Sequence, residues 1–157
     1  MSATRYTSQT IEVFDEGQPG QRATAAPATF SASLNVTSPQ LVLLMDGAND
    51  LLGDGDRAIT PATNAMEDIV RDALRRGIPV MVASLPPQRA SGSRGAGASA
   101  VQAYNAARRK MAAANGAAFV DVFPQFALSH RPGRPSSNRS RLRPARHNFS
   151  IGDLRRS

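Results

Sequence analysis

The stretch LVLLMDGAND, residues 41–50, decides the fold of this chain because two patterns meet in it. Its first five residues form a continuous apolar run of strand length, which is typical of a β-strand covered on both faces. Its last five residues are small or polar, as in a turn at the end of a strand. The stretch therefore predicts a buried strand that leads directly into a polar turn.

Downstream of this stretch, the order of strand, loop and helix repeats. Thr60-Pro61 supplies an N-cap and a first-turn proline for a helix that Gly77 closes. Residues 78–83 predict a second buried strand, a second helix follows, and residues 118–122 predict a last short strand. The residues that keep helical spacing are Ala62, Met66, Ile69 and Ala73 in the first helix and Val101, Tyr104, Arg108 and Met111 in the second.

Upstream of residue 41, the pattern is weaker. TIEVF, residues 10–14, alternates polar with apolar side chains and predicts a short strand that ends in a loop over residues 15–20. Residues 23–34 predict a short helix with Phe30 and Leu34 facing inward. Strands that alternate with helices predict an α/β fold whose parallel sheet has right-handed crossovers, with the chemistry beyond the carboxyl ends of the strands.

The charge divides the chain in two. Its 157 residues suffice for one domain, and the net charge of +7 alone would suggest a polyanionic partner. Residues 1–128, however, hold 11 basic and 11 acidic residues, whereas residues 129–157 hold eight Arg against the single Asp153. We expect a neutral α/β domain over 1–128 and a disordered tail rich in Arg, Pro and Ser over 129–157.

Asn49 and Gly20 are the candidate site residues. The simpler interpretation of residues 46–50 is a turn in which Asn and Asp satisfy nearby backbone donors. Alternatively, the Asn49 amide donates a hydrogen bond to a developing oxyanion at the strand end. Gly17 or Gly20, after the first predicted strand, could bring a backbone N–H close to the same oxygen, since glycine has no side chain to obstruct the approach.

Several blocks of this sequence resemble the SGNH or GDSL hydrolases, which are serine esterases, lipases and acylhydrolases on a flavodoxin-like three-layer sandwich. Residues 13–20, VFDEGQPG, resemble the family's second block, whose later Gly gives an oxyanion N–H; Asp15 replaces the usual Asn. Residues 43–51, LLMDGANDL, resemble the third block, whose Asn completes the oxyanion hole. Residues 85–87, 104–105 and 120–123 resemble further features of bacterial members. The resemblance implies that Asn49 and Gly20 form the oxyanion hole and that the substrate is a small ester.

The departures from the family pattern concern its other blocks. The Gly-Asp-Ser block with the nucleophile would lie before Met1, and with it the first, central strand of the sheet. The Asp-x-x-His block would lie after Phe126, yet Ala127 stands three residues before His130 and Pro144 three before His147. Ser84 stands near a strand end, but nothing in the sequence pairs it with a His. We expect a chain truncated at both ends that lacks nucleophile and base.

Other kinds of site have little support in the sequence. The chain has no Cys, which excludes disulfides and thiolate metal sites, and no apolar run long enough to span a membrane. Asp54 and Asp56 resemble a calcium loop, but the downstream Glu is missing. The loop over residues 88–97 lacks the Gly-Lys-Ser/Thr of a phosphate loop, so a flexible loop on the substrate side is the better interpretation. We expect no metal or cofactor, and a cytoplasmic chain as written, or an exported one if a signal peptide precedes Met1.

Three hypotheses remain. The first is a truncated SGNH-type esterase that is inactive by itself. The second is a non-catalytic α/β domain whose basic arm binds nucleic acid or another polyanion weakly through Arg–phosphate pairs. The third explains the tail without function, as translation in a shifted frame from about Ser129, because 18 of the 19 basic residues are Arg, as expected for a GC-rich gene.

Overall fold

A computed structural model describes residues 11–88 and 97–125 of the chain. A 3-10 turn, Ala23–Ala25, leads into helix α1, Ala26–Thr37. Strand β1, Val42–Leu44, is followed by helix α2, Ala48–Asp54, and by a 3-10 turn, Gly55–Ala58. The remaining elements are helix α3, Ile59–Arg75, strand β2, Val80–Ala83, helix α4, Ala98–Ala114, and strand β3, Ala118–Val120.

The three strands form one parallel sheet in the order β1-β2-β3. Leu43 is in register with Met81, and Met81 with Ala118. The predicted α/β class with a parallel sheet is therefore confirmed. Because each crossover joins neighbouring strands and such crossovers are right-handed, α3 and α4 lie on the same face of the sheet, where they pack on each other.

The core lies between this sheet face and the helices. Helix α1 packs on α3, and every residue of α3 and α4 that the helical spacing predicted to face the core is buried. Helix α3 starts two residues earlier than predicted, at Ile59 rather than Pro61, because it continues the preceding 3-10 turn. Thr60 is therefore in the first turn rather than at the N-cap, which is Ala58.

Two predictions about strands are wrong. Residues 11–14 form no strand, and the side chains of Ile11 and Val13 are 77% and 81% exposed. A strand needs a neighbour for its backbone groups, and the described sheet ends at β1 without reaching this segment. Among the described residues, strand β1 is covered on one face only, because Leu43 is 67% exposed. None of the described helices is long and apolar enough to cross a membrane.

Val70 in α3 and Val36 in α1 offer a matched test of this core. Val70 is fully buried, whereas Val36 is 84% exposed. We expect Val70→Ala to lower the free energy of unfolding by about 2 kcal/mol, through lost burial and the cavity left behind. Val36→Ala should change it by less than about 0.5 kcal/mol. Urea unfolding followed by circular dichroism measures both, and equal effects would contradict the packing described here.

Candidate functional site

The turn after β1 has a shape that only glycine at position 47 allows. Gly47 precedes α2 with φ of +101°, a backbone conformation that side chains other than glycine rarely adopt. A Cβ atom there would overlap the hydroxyl group of Tyr104, which donates a hydrogen bond to the Asp46 carbonyl oxygen at 3.3 Å. The Tyr104 side chain of α4 thus packs directly against the turn.

Asn49 lies in the first turn of α2 and is half-buried. Its side-chain Nδ2 donates a hydrogen bond to the carbonyl oxygen of Gln21 at 2.7 Å. Gln21 follows Gly20, which has φ of +81° in an exposed turn closed by a bond from Gln21 N to Gln18 O. The two residues that the sequence singled out therefore belong to loops that the structure brings together.

Asp50 makes the strongest connection between these loops. Its side chain is 1% exposed, and its carboxylate accepts hydrogen bonds from Ala23 N at 2.7 Å, Thr24 N at 3.3 Å and Thr24 Oγ1 at 3.0 Å. The amides at the start of the helical segment 23–37 have no intrahelical partner, so a carboxylate there is stabilising. The simpler interpretation of residues 46–50 holds in part: Asp50 does satisfy backbone donors, but they are 26 and 27 residues away in sequence.

A buried arginine lies below the same turn. Arg108 of α4 is fully buried, donates to the Leu44 carbonyl oxygen from Nη2 at 3.1 Å, and places its guanidinium carbon 5.2 Å from the centre of the Tyr104 ring. Its Nε and Nη1 have no hydrogen-bond partner among the described residues. The helical spacing predicted Arg108 to face inward, but nothing in the sequence indicated that it would contact the end of β1.

Burial governs the ionisation of these groups. It raises the pKa of Asp46, although the Gly47 amide at 2.6 Å and the nearby Arg108 charge both favour the carboxylate. It lowers the pKa of Arg108, against the opposing effects of Tyr104 and Asp46, and it raises the pKa of Tyr104. The turn therefore combines a carboxylate whose pKa is raised and a buried arginine with a neutral amide donor, Asn49.

The ends of β2 and β3 are held by polar side chains. Ser84 is fully buried; its Oγ donates to Asp121 Oδ1 at 3.0 Å and accepts from Val122 N at 2.9 Å and Phe123 N at 3.0 Å. A hydroxyl with three such partners is a structural group rather than a free nucleophile. Asn105 pairs with both backbone groups of Leu85, at 2.7 Å and 2.9 Å.

Some of the remaining predicted features lie in the described part of the chain, and others lie outside it. Asp54, one of the two Asp residues that resemble a calcium loop, forms an exposed ion pair with Arg22 at 2.7 Å. No cluster of metal-ligating side chains occurs within residues 11–88 and 97–125. His130, His147 and the basic tail over 129–157 lie outside the described residues, as does most of the loop over 88–97.

Comparisons with known proteins give a family and, separately, a fold. The profile of the GDSL-like lipase/acylhydrolase family matches residues 2–144. The crystal structure of AlinE4, an SGNH-hydrolase family esterase, superposes with a TM-score of 0.54 at 24% identity, covering 72% of this chain and 57% of that one. Two variants of the same esterase superpose with TM-scores of 0.55 at 23% and 21% identity, covering 72% and 75% of this chain. No significant match was found among curated proteins.

Those solved structures are longer than this chain. The chain covers 57% and 63% of the two variants. At identities of 21–24%, the likeness concerns the fold, and it supports the α/β arrangement described above.

Asp50→Asn tests the connection between the two loops. The substitution keeps the size of the side chain but replaces one of its two acceptor oxygens with a donor, which then faces a backbone N–H. We expect the free energy of unfolding to fall by about 2–3 kcal/mol, the cost of breaking bonds to a buried charged group. Asp54→Asn, at the exposed ion pair with Arg22, should cost less than about 1 kcal/mol. Equal losses in urea unfolding would contradict the role of Asp50.

Asp46 should give the stability a characteristic pH dependence. Because its pKa is raised in the folded protein, the folded state holds the proton more tightly than the unfolded chain does. The contribution of Asp46 to stability should therefore decline as the pH rises from the ordinary carboxyl pKa through the raised one. Asp46→Asn has no such proton, so its stability relative to the unmodified chain should increase with pH in that interval. If the free energies of unfolding of the unmodified chain and of Asp46→Asn change in parallel between pH 3 and 7, the raised pKa of Asp46 is contradicted.

Proposed function

The chain belongs to the GDSL-like lipase/acylhydrolase family, and from this membership we propose that it carries the oxyanion-binding half of an SGNH-type ester hydrolase site. In this proposal Asn49 and the backbone N–H of Gly20 bind the carbonyl oxygen of a small ester. The observation that carries the proposal is the 2.7 Å bond from Asn49 Nδ2 to the Gln21 carbonyl. It links the two loops and orients the amide at the carboxyl end of β1.

The chemistry of a primary amide fits this role. Asn49 has two N–H donors, and the bond to Gln21 engages only one of them. The second donor remains for a substrate oxygen. A neutral donor held in place before the reaction stabilises the charge that develops on an ester carbonyl, and the protein need not reorganise to provide it. The turn around Gly47, supported by Tyr104 and Asp50, keeps that donor in position.

We further propose that this chain alone does not hydrolyse esters. Acyl transfer by this route needs a nucleophilic hydroxyl, a base within hydrogen-bonding distance and a group that orients the base. Ser84, the serine at the end of β2, has its hydroxyl engaged with Asp121 and two amides. Both His residues of the sequence, 130 and 147, lack an acidic residue three positions earlier. In this proposal the chain supplies oxyanion donors, and neither Ser84 nor the two His residues supply the nucleophile and base.

The first test is an activity measurement on the purified chain. With p-nitrophenyl acetate and butyrate we expect release of nitrophenol at the rate of buffer alone. Turnover that Asn49→Ala abolishes would overturn the proposed inactivity while supporting the oxyanion role. Turnover that Asn49→Ala leaves unchanged would contradict both parts of the proposal.

The second test supplies the two blocks that this sequence does not contain. Fusing an upstream segment with Gly-Asp-Ser and a downstream segment with Asp-x-x-His should give measurable turnover. In that fusion Asn49→Ala should lower kcat about 10²- to 10³-fold, the usual loss for one oxyanion donor. Asn64→Ala, on helix α3, is the matched control and should leave kcat unchanged. Equal effects of the two substitutions would contradict the assignment of Asn49.

A second candidate function concerns the C-terminal residues. The excess of positive charge lies entirely within residues 129–157, which favours weak, sequence-independent binding of a polyanion through Arg–phosphate pairs. Binding to a mixed-sequence RNA should weaken steeply between 50 and 200 mM salt, and deletion of residues 129–157 should abolish it. Affinity that survives the deletion, measured by filter binding, would exclude this function.

A further inference from the structure

Gly53 lies inside helix α2 although its backbone does not require a glycine. Its φ is outside the left-handed region, unlike that of Gly47 before the helix and of Gly55 after it. Glycine is less favourable than alanine inside a helix, because folding removes more of its backbone freedom. The reason for a glycine at this position therefore lies in the space around it.

The guanidinium group of Arg22 occupies that space. A Cβ atom on Gly53 would overlap Nη2 of Arg22 and would lie 3.0 Å from its Cζ. Nη1 of the same group donates a hydrogen bond to Asp54 Oδ2 at 2.7 Å. Arg22 thus lies against the backbone of α2 at Gly53 while it pairs with Asp54. We call this arrangement of Arg22, Gly53 and Asp54 the Arg22 clamp.

The Arg22 clamp holds the loop at a second point of α2. The residues directly before and after Arg22 bond to Asn49 and Asp50, in the first turn of that helix. Arg22 itself reaches Asp54, the last residue of the helix. With a rise of about 1.5 Å per residue, Asn49 and Asp54 lie roughly 7.5 Å apart along the helix axis. Contacts at two separate points fix the orientation of the loop as well as its position.

The ion pair in the Arg22 clamp adds little to the stability of the fold. The side chains of Arg22 and Asp54 are 47% and 51% exposed, and ion pairs in such positions are weakened by water and salt. Gly20, two residues before Arg22, has φ of +81° in an exposed turn. Among the described residues, no hydrogen bond uses its N–H. The direction of this N–H therefore depends on how the loop is held against α2.

We propose that Arg22 is a positioning residue for the Gly20 N–H, and that position 53 is a glycine so that the Arg22 guanidinium can lie against α2. This inference rests on the proposed function, in which the Gly20 N–H and Asn49 bind the ester carbonyl oxygen. A donor of this kind has to be in place before charge develops on that oxygen. The bond from Asn49 to Gln21 holds the loop at the start of α2, and the Arg22 clamp holds it at the end.

Gly53→Ala opens the Arg22 clamp without disturbing the core, because the group that it displaces is the end of a flexible, exposed side chain. Alanine also favours the helix, so we expect no loss of stability in urea unfolding. By ¹⁵N relaxation of the full chain, the order parameter of the Gly20 amide should fall from about 0.85 toward about 0.6, the values of rigid and flexible backbone. Arg22→Ala should give the same fall. Arg75→Ala, which removes an exposed arginine paired with Asp72 on α3, should give none.

The double variant Arg22→Ala/Gly53→Ala provides an internal control. Both substitutions act through one guanidinium group, so together they should lower the Gly20 order parameter no further than either does alone. Additive effects would overturn the proposal, and so would an unchanged order parameter in either single variant. If Arg22→Ala fails to fold, about 1 M NaCl replaces it, because salt screens the exposed ion pair of the unmodified chain and should give the same fall.

The fusion with the Gly-Asp-Ser and Asp-x-x-His segments separates this proposal from the proposed function. There Gly53→Ala should lower kcat about 10- to 10²-fold with little change in KM, because a donor displaced by about 1 Å no longer meets the transition state. A loss of kcat in Asn49→Ala but not in Gly53→Ala would overturn the positioning role and leave the proposed function standing. No loss in either variant would contradict the proposed function, and with it the role of Arg22 in positioning a donor.

Discussion

The buried carboxylate of Asp50 is the contact on which the candidate site depends. It receives three hydrogen bonds from Ala23 and Thr24, and so fixes the start of helix α1 against the start of helix α2. Burying a carboxylate is costly unless its oxygens are bonded, and these bonds offset that cost only in this one arrangement of the two loops. Asn49 directly precedes Asp50, and Gln21 lies two residues before Ala23, so the 2.7 Å bond between Asn49 and Gln21 belongs to the same contact between the two loops.

The pattern of apolar residues predicted most of the fold because the core of α3 and α4 follows simple helical spacing. Ile69 and Tyr104, for example, are buried as that spacing requires. The strand predicted over residues 10–14 failed for a different reason. Alternation indicates which side chains suit a half-buried strand, but a strand also needs a partner for its backbone, and partners are non-local. Ile11 and Val13 have the expected pattern and no neighbouring strand in the described sheet.

The site was only partly predictable for the same reason. Asn49 and Gly20 were recognised because they lie in short blocks that can be compared along the sequence. The residues that pack against the turn and hold it in place could not be recognised in this way. Tyr104 and Arg108 lie about 60 residues from the turn that they hold, and in sequence both are simply members of a helical stripe. Only the packing of α4 under the end of β1 gives them a role in shaping that turn.

The contacts that hold the turn after β1 come from the α/β core. Those from Asp50 to Ala23, Tyr104 to Asp46 and Arg108 to Leu44 lie within the described residues 11–88 and 97–125. None of these contacts involves a nucleophilic serine or a histidine. The turn can thus keep its geometry whether or not a nucleophile and a base are supplied. The position of the Asn49 amide is a property of the packed α/β core, whereas acyl transfer needs a nucleophile and a base in addition to an oxyanion donor.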